Sequence, residues 1–558
     1  MTGEPEHPGT TDDVTADEVD PFTHGVASFD PTADSAILWT RVRPGGPRRV
    51  HWSVAPATDL APSATGEVEV PADADGCVAV TVDGLLPATN YRYWFEAEGR
   101  RSPVGRTRTL PADGTGRFRM AVVCCADWSQ GYFGVYRAVA EADVDLVLHV
   151  GDYVYETEGR GKARATEPDK TISSVDDYRA RFAQTRSDAD LQALHLRHPM
   201  VAIWDDHDIA DNAWRHGAKA HDDAEQGPWE ERLLAAATAW REYLPYRSRA
   251  PEDPLVLWRS LSIGDLAEVV VLDTRIAGRD EHADQDGSPS LDDPKRTILG
   301  EPQETWADER IRDTTRPWCF VISAVVVNRM ELPIPGDATL ADRTPSGYAV
   351  VDGKAICTDE WDGYPAARDR LVEAMADRGR GTVLLSGDVH SAWAFEGPCT
   401  PDGGPVAVEF TAPCVTSTPM ARQLPKGWRR LAAGIADKLP EARWFELERH
   451  GFVVLDVEAD HVRADWFRID IEDPSAQPDP AASWRHDLAT PGRLTSLDDG
   501  PLRPEAPADE VAVPIPDRPP GVGKPARRRR RRRVALVAAG VAAGVLAGRG
   551  LQQRRAHR

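Results

Sequence analysis

Six short apolar runs, each breaking off into polar side chains, constrain this 558-residue chain more than any other feature. FRMAVVCC, DLVLHVGD, PMVAIWDD, LAEVVVLDTR, WCFVISAVVV and TVLLSGDVH read as core strands, with VYRAVAEADV and LLAAATAWREYL among the helices between them. Strands buried on both faces and alternating with helices predict a layered α/β unit. Ligand sites in such folds form just beyond strand ends, so clusters far apart in sequence can converge there. Four of the runs end directly in chemically capable residues.

Upstream, residues 21–113 alternate with the period of half-buried strands, as in Ala36 to Thr40, Val50 to Val54 and Val78 to Val82. They predict a small all-β domain. GLLPATNYRYWFEAEG, with Leu85, Pro87, Thr89 and Tyr91, resembles the turn and strand of a fibronectin type III sandwich. A catalytic unit over 117–500 then ends in the alternating block HGFVVLDVEADHVRADWFRID. Residues 1–20 read as an acidic disordered tail, and 501–533 as a proline-rich linker and arginine run. Residues 534–558 complete the chain as an apolar Ala/Gly-rich segment and basic tail.

The formal net charge of −24 argues against nucleic acid as the partner of the body. Seven cysteines without a CxxC pair indicate neither a disulfide scaffold nor a zinc ribbon, but mostly small buried hydrophobes. Met1 opens a polar segment with neither basic n-region nor apolar h-region, so no export signal is expected at this end. Arg527 to Arg533 precede an apolar run, Val534 to Gly548, spanning roughly 22 Å as a helix against a hydrocarbon core of about 30 Å. This tail reads either as a contact with an anionic membrane leaflet or as a disordered basic arm. Localisation therefore stays open between cytoplasm and membrane association.

The chemistry lies in VLHVGDYVYE, WDDHD and SGDVH. Gly-Asp-x-x-Tyr after an apolar strand is the pattern by which binuclear metallophosphoesterases place a bridging carboxylate and a phenolate, here Asp152 and Tyr155. Two ions about 3.5 to 4 Å apart can polarise phosphoryl oxygens and acidify a water. The first strand ends in Cys124-Cys125, where a Cys125 thiolate takes the place of a carboxylate; the structural alternative is a pair of core cysteines. WDDHD resembles a Gly-Asn-His-Asp/Glu motif, with Asp206 as metal ligand, Asp205 competing for that role, and His207 facing substrate as proton or hydrogen-bond donor. SGDVH resembles Gly-His-x-His with Asp388 in place of the first histidine, and His390 as a ligand. A site of Asp152, Asp206 and Asp388 suits calcium, magnesium or manganese better than zinc. Arg275 offers a planar fork for phosphate, with a salt bridge to Asp273 as the alternative; Arg186 and Arg279 are weaker candidates of the same kind.

In order along the chain, PFTHGVASFDPTADSAILWTRV, CADWSQGYFGVYRAVAEADVDLVLHVGDYVYE, YRARFAQTRSDADLQALHLRHPMVAIWDDHDIADNAW, LDTR, RTILGEPQETW and LLSGDVHSAWAFE resemble the PhoD-type alkaline phosphatases from about Pro21 to Asp470. The resemblance implies a four-layer metallophosphoesterase-like α/β (α+β) sandwich behind a β-sandwich domain, with ferric iron (Fe3+) and calcium (Ca2+), Mn2+ or Mg2+ being the alternatives at the oxygen-rich site. It implies hydrolysis of phosphomonoesters, as an alkaline phosphatase, and of phosphodiesters; a metal-activated hydroxide is the expected nucleophile, and a monomer is expected separately. Cys125, Asp152, Tyr155 and His390 match the family's iron ligands, and Asp206 and Asp388 its calcium carboxylates; Asp152, His207 and Arg275 are the expected catalytic residues. Relatives often read DDHE followed by NN, where this chain has Asp208 and then Asp211-Asn212. The competing reading is a non-catalytic, membrane-proximal binding protein on a degenerate phosphatase fold.

Overall fold

The computed structural model describes residues 20–502 except 60, 160, 162, 284–290, 292, 331, 334–347, 352–353, 424–433 and 435–436. The N-terminal tail, the linker, the arginine run and the apolar C-terminal segment lie outside the described residues. The N-terminal segment supplies β1 (Val26–Phe29), β2 (Ser35–Arg41) and β3 (Cys77–Asp83). β4 (Arg117–Val123), β5 (Leu146–Val150) and β6 (Met200–Ile203) follow, then β7 (Ala267–Val271), β8 (Trp318–Ile322), β9 (Thr382–Ser386) and β10 (Val408–Thr411). β11 (His450–Glu458) and β12 (His461–Ile469) form the late hairpin expected from the alternating block.

Two mixed sheets result, consistent with the expected α/β sandwich. In the first, β4, β5 and β6 run parallel, β11 and β12 continue antiparallel beyond β4, and β1, β2 and β3 extend the opposite side. In the second, β7, β8, β9 and β10 are parallel neighbours. Period-two alternation explains how these strands bury both faces. Val269 and Val271 of β7, Phe320 of β8 and Leu385 of β9 join Met120, Val122 and Leu148 of the first sheet in one core. Their neighbours Val270, Cys319, Val321 and Leu384 face the helices Glu301–Asp313 and Pro365–Arg378 in another. Each such side chain contributes about 1.5 to 3 kcal/mol by leaving water. The polar groups buried within these strands are paired, His149 with the Tyr136 hydroxyl and Glu409 with the Ser386 hydroxyl and the N–H groups of Val327 and Asn328.

The N-terminal segment does not stand apart from this sheet. β1 pairs in parallel with β6 through Phe29 and Met200, and β1 to β3 pack a separate apolar cluster against Arg49–Pro56 and Asn90–Ala97. Within that cluster the buried Tyr91 hydroxyl accepts the N–H of Leu86 at 2.7 Å. Among the described residues no helix is long and apolar enough to cross a membrane.

Candidate metal centre

β4, β5, β6 and β9 all stop at the same edge of the sandwich, and the backbone then turns sharply. Cys125, Asp152, Asp388 and His390 all have positive φ, between 49° and 59°, a region that non-glycine residues rarely enter and that is held only where surrounding structure enforces it. Gly151 sits at φ 108°, and a Cβ there would come within 2.5 Å of the Asp205 Cβ. A glycine is therefore required before Asp152 if the loops after β5 and β6 are to meet.

The turns gather three overlapping sets of donor atoms, each set within 4.8 Å of one another: Cys125, Asp152 and His390; Asp152, Asp206 and His207; and Asp205, Asp206 and Asp388. Asp152 belongs to two sets and Asp206 to two. The Tyr155 hydroxyl donates to Asp152 Oδ2 at 2.7 Å, lies 3.2 Å from His390 Nε2, and receives the Ser417 hydroxyl. His390 Nδ1 faces the Thr418 carbonyl at 3.0 Å, which turns Nε2 toward the cluster. Cys124, by contrast, points its thiol at the carbonyls of Ala412 and Pro413 in the core. One cysteine of the pair is thus packing and the other faces the donors.

The electrostatics match a site shaped for cations. Burial, then the neighbouring Cys124, Asp152 and Asp388, push the Cys125 thiol up; burial, Asp152 and Cys125 do the same to Tyr155. Burial and the crowding of Asp205, Asp206 and Asp208 raise the Asp152 carboxyl as well, although His207 opposes them. Protons held this tightly are released when a cation supplies the opposing charge. Asp205 Oδ2 and Asp206 Oδ1 are buried without a hydrogen-bond partner, and a sulfur, an imidazole and a phenol on one side with carboxylates on the other form a plausible donor set for two kinds of ion.

Two supporting residues were in the motifs but had no assigned role. Asp208 accepts the backbone N–H groups of Asp152, Tyr153, Val154 and Asp205 at 2.9 to 3.1 Å. Glu156 accepts His207 Nδ1 at 2.7 Å and the N–H of Asp211 at 2.8 Å. Burial alone would lower the His207 pKa, but Glu156, Asp206 and Asp152 outweigh it and raise it well above the usual imidazole value.

Arg275 is fully buried, and its guanidinium is taken up by carboxylates. Nε donates to Asp205, Nη1 to both oxygens of Asp359 at 2.9 Å, and Nη2 to Asp388 at 3.1 Å, with Asp206 Oδ1 at 3.7 Å. Asp273, the salt-bridge partner of the alternative reading, instead accepts the N–H groups of Arg275, Ile276 and Ala277 and the Trp204 indole. Arg279 joins Asp359, whereas Arg186 lies over the Trp39 ring at 4.1 Å, away from these carboxylates. Asp359 and Glu360 follow only the short strand Lys354–Cys357, whose brief apolar run did not single them out in the sequence. Glu360 is fully buried, its carboxyl raised by burial and by Asp388, and it accepts the N–H of Val326.

Strand-end donors thus converge on shared carboxylates at one edge of a two-sheet α/β sandwich, as a candidate metal centre. The chain belongs to the PhoD-like phosphatase family: its model matches residues 120–466, and that of the family's N-terminal domain matches 9–111. The chain is 35% identical over 404 residues to alkaline phosphatase D of Bacillus subtilis (strain 168), covering 67% of this chain and 65% of that protein. It thus spans about two thirds of that relative's length. A solved structure of PhoD superposes with a TM-score of 0.74 at 29% identity, over 86% of this chain and 92% of the other.

Proposed function

We propose that this chain hydrolyses phosphomonoesters and phosphodiesters at the cluster centred on Asp152. The observation that carries the reading is that Asp152 stands in one donor set with Cys125 and His390 and in another with Asp206, as a carboxylate bridging two ions would. Membership in a phosphatase family and likeness to a protein named alkaline phosphatase D support it.

Cys125, Asp152, Tyr155 and His390 would hold ferric iron, because a phenolate, from a phenol of pKa about 10, favours a hard, trivalent ion. Asp206 and Asp388, with Asp152, would hold calcium, or manganese or magnesium. Asp206 is the better ligand of the Asp205–Asp206 pair because it reaches both Asp152 and Asp388, while one Asp205 oxygen is engaged by Arg275. When bound, such ions supply Lewis acidity to the phosphoryl oxygens and lower the pKa of water. The chain's own residues set the geometry: Asp208 fixes the loop carrying Asp152, Thr418 orients His390, and Arg275 holds Asp205, Asp359 and Asp388 in place. With its guanidinium so engaged, Arg275 acts chiefly through those carboxylates, and His207 is the group that donates to the phosphate or to the leaving oxygen.

The N-terminal strands form a fibronectin type III-like module in this reading, supported by the Tyr91 hydroxyl contact. We take the chain as a monomer whose C-terminal tail is either a membrane contact or a basic arm; fractionating full-length protein against a version ending at Pro525 separates the two, and membrane recovery unchanged by truncation would refute the contact. Hydrolysis of a chromogenic phosphomonoester and phosphodiester, before and after chelation and with iron plus calcium restored, tests the activity. Turnover lost to chelation and regained with metal is expected. No turnover of either ester with metals demonstrably bound would overturn the reading.

A further inference from the structure

Arg186 ends the helix Val175–Arg186 and is fully buried, yet no counter-charge meets it. None of Nε, Nη1 and Nη2 reaches a hydrogen-bond partner, and among the described residues no carboxylate pairs with it. Its flat face rests on the Trp39 ring at 4.1 Å. A ring face attracts the charge but accepts none of the N–H bonds along the guanidinium edge. Other fully buried arginines are paired: Arg259 with Asp30, Arg279 with Asp359, and Arg181 with main-chain carbonyls. His195, on the next helix, Ala189–Arg197, has Nε2 2.8 Å from the Tyr153 hydroxyl and a buried Nδ1 without a partner. That hydroxyl lies near Arg186 outside hydrogen-bonding geometry. Where it donates to Nε2, Nδ1 carries the hydrogen and is one more unmatched donor. Burial first, then Arg186, hold His195 well below the usual imidazole value. Burial, Arg41 and Arg186 likewise lower His24 to about 4 against the opposing Asp75, which is itself closed on Arg41. An unpaired buried cation is strongly disfavoured, and the described residues offer no acidic group to offset this one.

We propose that Arg186 holds a small monovalent anion, a halide ion such as chloride, where the N-terminal strands meet the catalytic sandwich. Trp39 belongs to β2, whereas Arg186 and His195 come from helices between β5 and β6, so the ion ties these elements together. The walls set its size and charge. Trp39, Tyr153, Phe182 and His195 are all fully buried, so the ion must shed its water. A weakly hydrated monovalent anion does so far more readily than a phosphate or sulfate dianion. Neither Arg186 nor His195 belongs to the donor sets of the metal centre, and the proposal stands independently of the hydrolase reading.

Bromide is the probe. Full-length protein is purified in sodium bromide, passed into bromide-free gluconate buffer and denatured, and the bromide it releases is measured by ion chromatography. Wild type should retain about one bromide per chain, and Arg186→Met, which keeps the reach of the side chain without its charge, at least about tenfold less. The wild-type Tm should rise by about 3 °C or more between gluconate and chloride at equal ionic strength, and that of Arg186→Met should not. Should the methionine variant not fold, anomalous scattering from wild-type crystals grown in bromide carries the test, with a peak expected against the guanidinium. No bromide retained by folded wild type, equal retention by the variant, or only water beside the guanidinium would overturn the proposal.

Discussion

Asp208 accepts the backbone N–H of Asp152 at 2.9 Å. A single carboxylate thereby ties the loop after β6 to the loop after β5 and sets where the central carboxylate of the cluster points. Tyr153, Val154 and Asp205 donate to it as well. Burial nevertheless pushes its carboxyl up to about 7 against the pull of those four N–H groups. Replacing Asp208 by Asn aims an amide N–H₂ at backbone donors and leaves some of them buried and unpaired, at about 1 to 3 kcal/mol each. Chemical denaturation of Asp208→Asn should show a loss of about 2 to 5 kcal/mol, and its iron content should fall. Unchanged stability would mean the four hydrogen bonds do not organise the loop.

The Arg275 guanidinium neutralises carboxylates that a cation would otherwise neutralise. Removing one member of a buried ion-pair network costs about 3 to 5 kcal/mol, so Arg275→Met should unfold at markedly lower denaturant. Calcium should return part of that loss, since Asp205, Asp206 and Asp388 are freed to take it. Thermal melts with and without calcium check this, and a variant that calcium stabilises no more than wild type would refute the shared role.

Cys125 and Tyr155 face the same cluster, so iron bound there should show a visible thiolate- and phenolate-to-iron absorption. Cys125→Ser should weaken iron binding and remove the thiolate part, and Tyr155→Phe the phenolate part. Cys124→Ser, whose thiol faces the core, should leave the spectrum unchanged. Absorbance and metal analysis on the same samples decide the matter; a spectrum that follows Cys124 would contradict the assignment.

Burial pushes His149 down to about 3, and burial with Arg106 and Arg197 nearby pushes His198 to about 3. In the unfolded chain each titrates near 6.5. Their folded pKa values are depressed, so the stability they contribute is fully present above about pH 6.5 and drains away as pH falls toward about 3. Each adds a slope of about 1.4 kcal/mol per pH unit in that window. Urea unfolding of wild type and His198→Gln between about pH 6 and pH 4.5 should give a shallower decline for the variant. Equal slopes would show that His198 takes up its proton in the fold.

The legible part of the site followed one rule: an apolar run that ends in a ligand announces both the strand and the chemistry. Asp152, Asp206, Asp388 and His390 were visible that way, and the structure brings them to one edge. Glu156 and Asp208 stood in the same motifs, but their partners are an imidazole 51 residues away and four backbone N–H groups, which no local pattern encodes. Asp359 and Glu360 follow only the short strand Lys354–Cys357, too brief an apolar run to stand out among the core strands. Arg275 was seen as a phosphate fork because its planar donors fit one; its neighbours in space, Asp205, Asp359 and Asp388, lie 70, 84 and 113 residues off. Likewise the parallel pairing of β1 with β6 joins segments that read as separate domains.

The most direct test is turnover of a chromogenic phosphomonoester by wild type and Asp152→Asn, with metal content and far-UV circular dichroism measured on the same samples. The asparagine cannot bridge two ions as a charged ligand, so the account predicts a loss of at least about 1,000-fold in kcat/KM, or about 4 kcal/mol of transition-state stabilisation, with the fold retained. Hydrolysis by Asp152→Asn at a rate near that of wild type would contradict it.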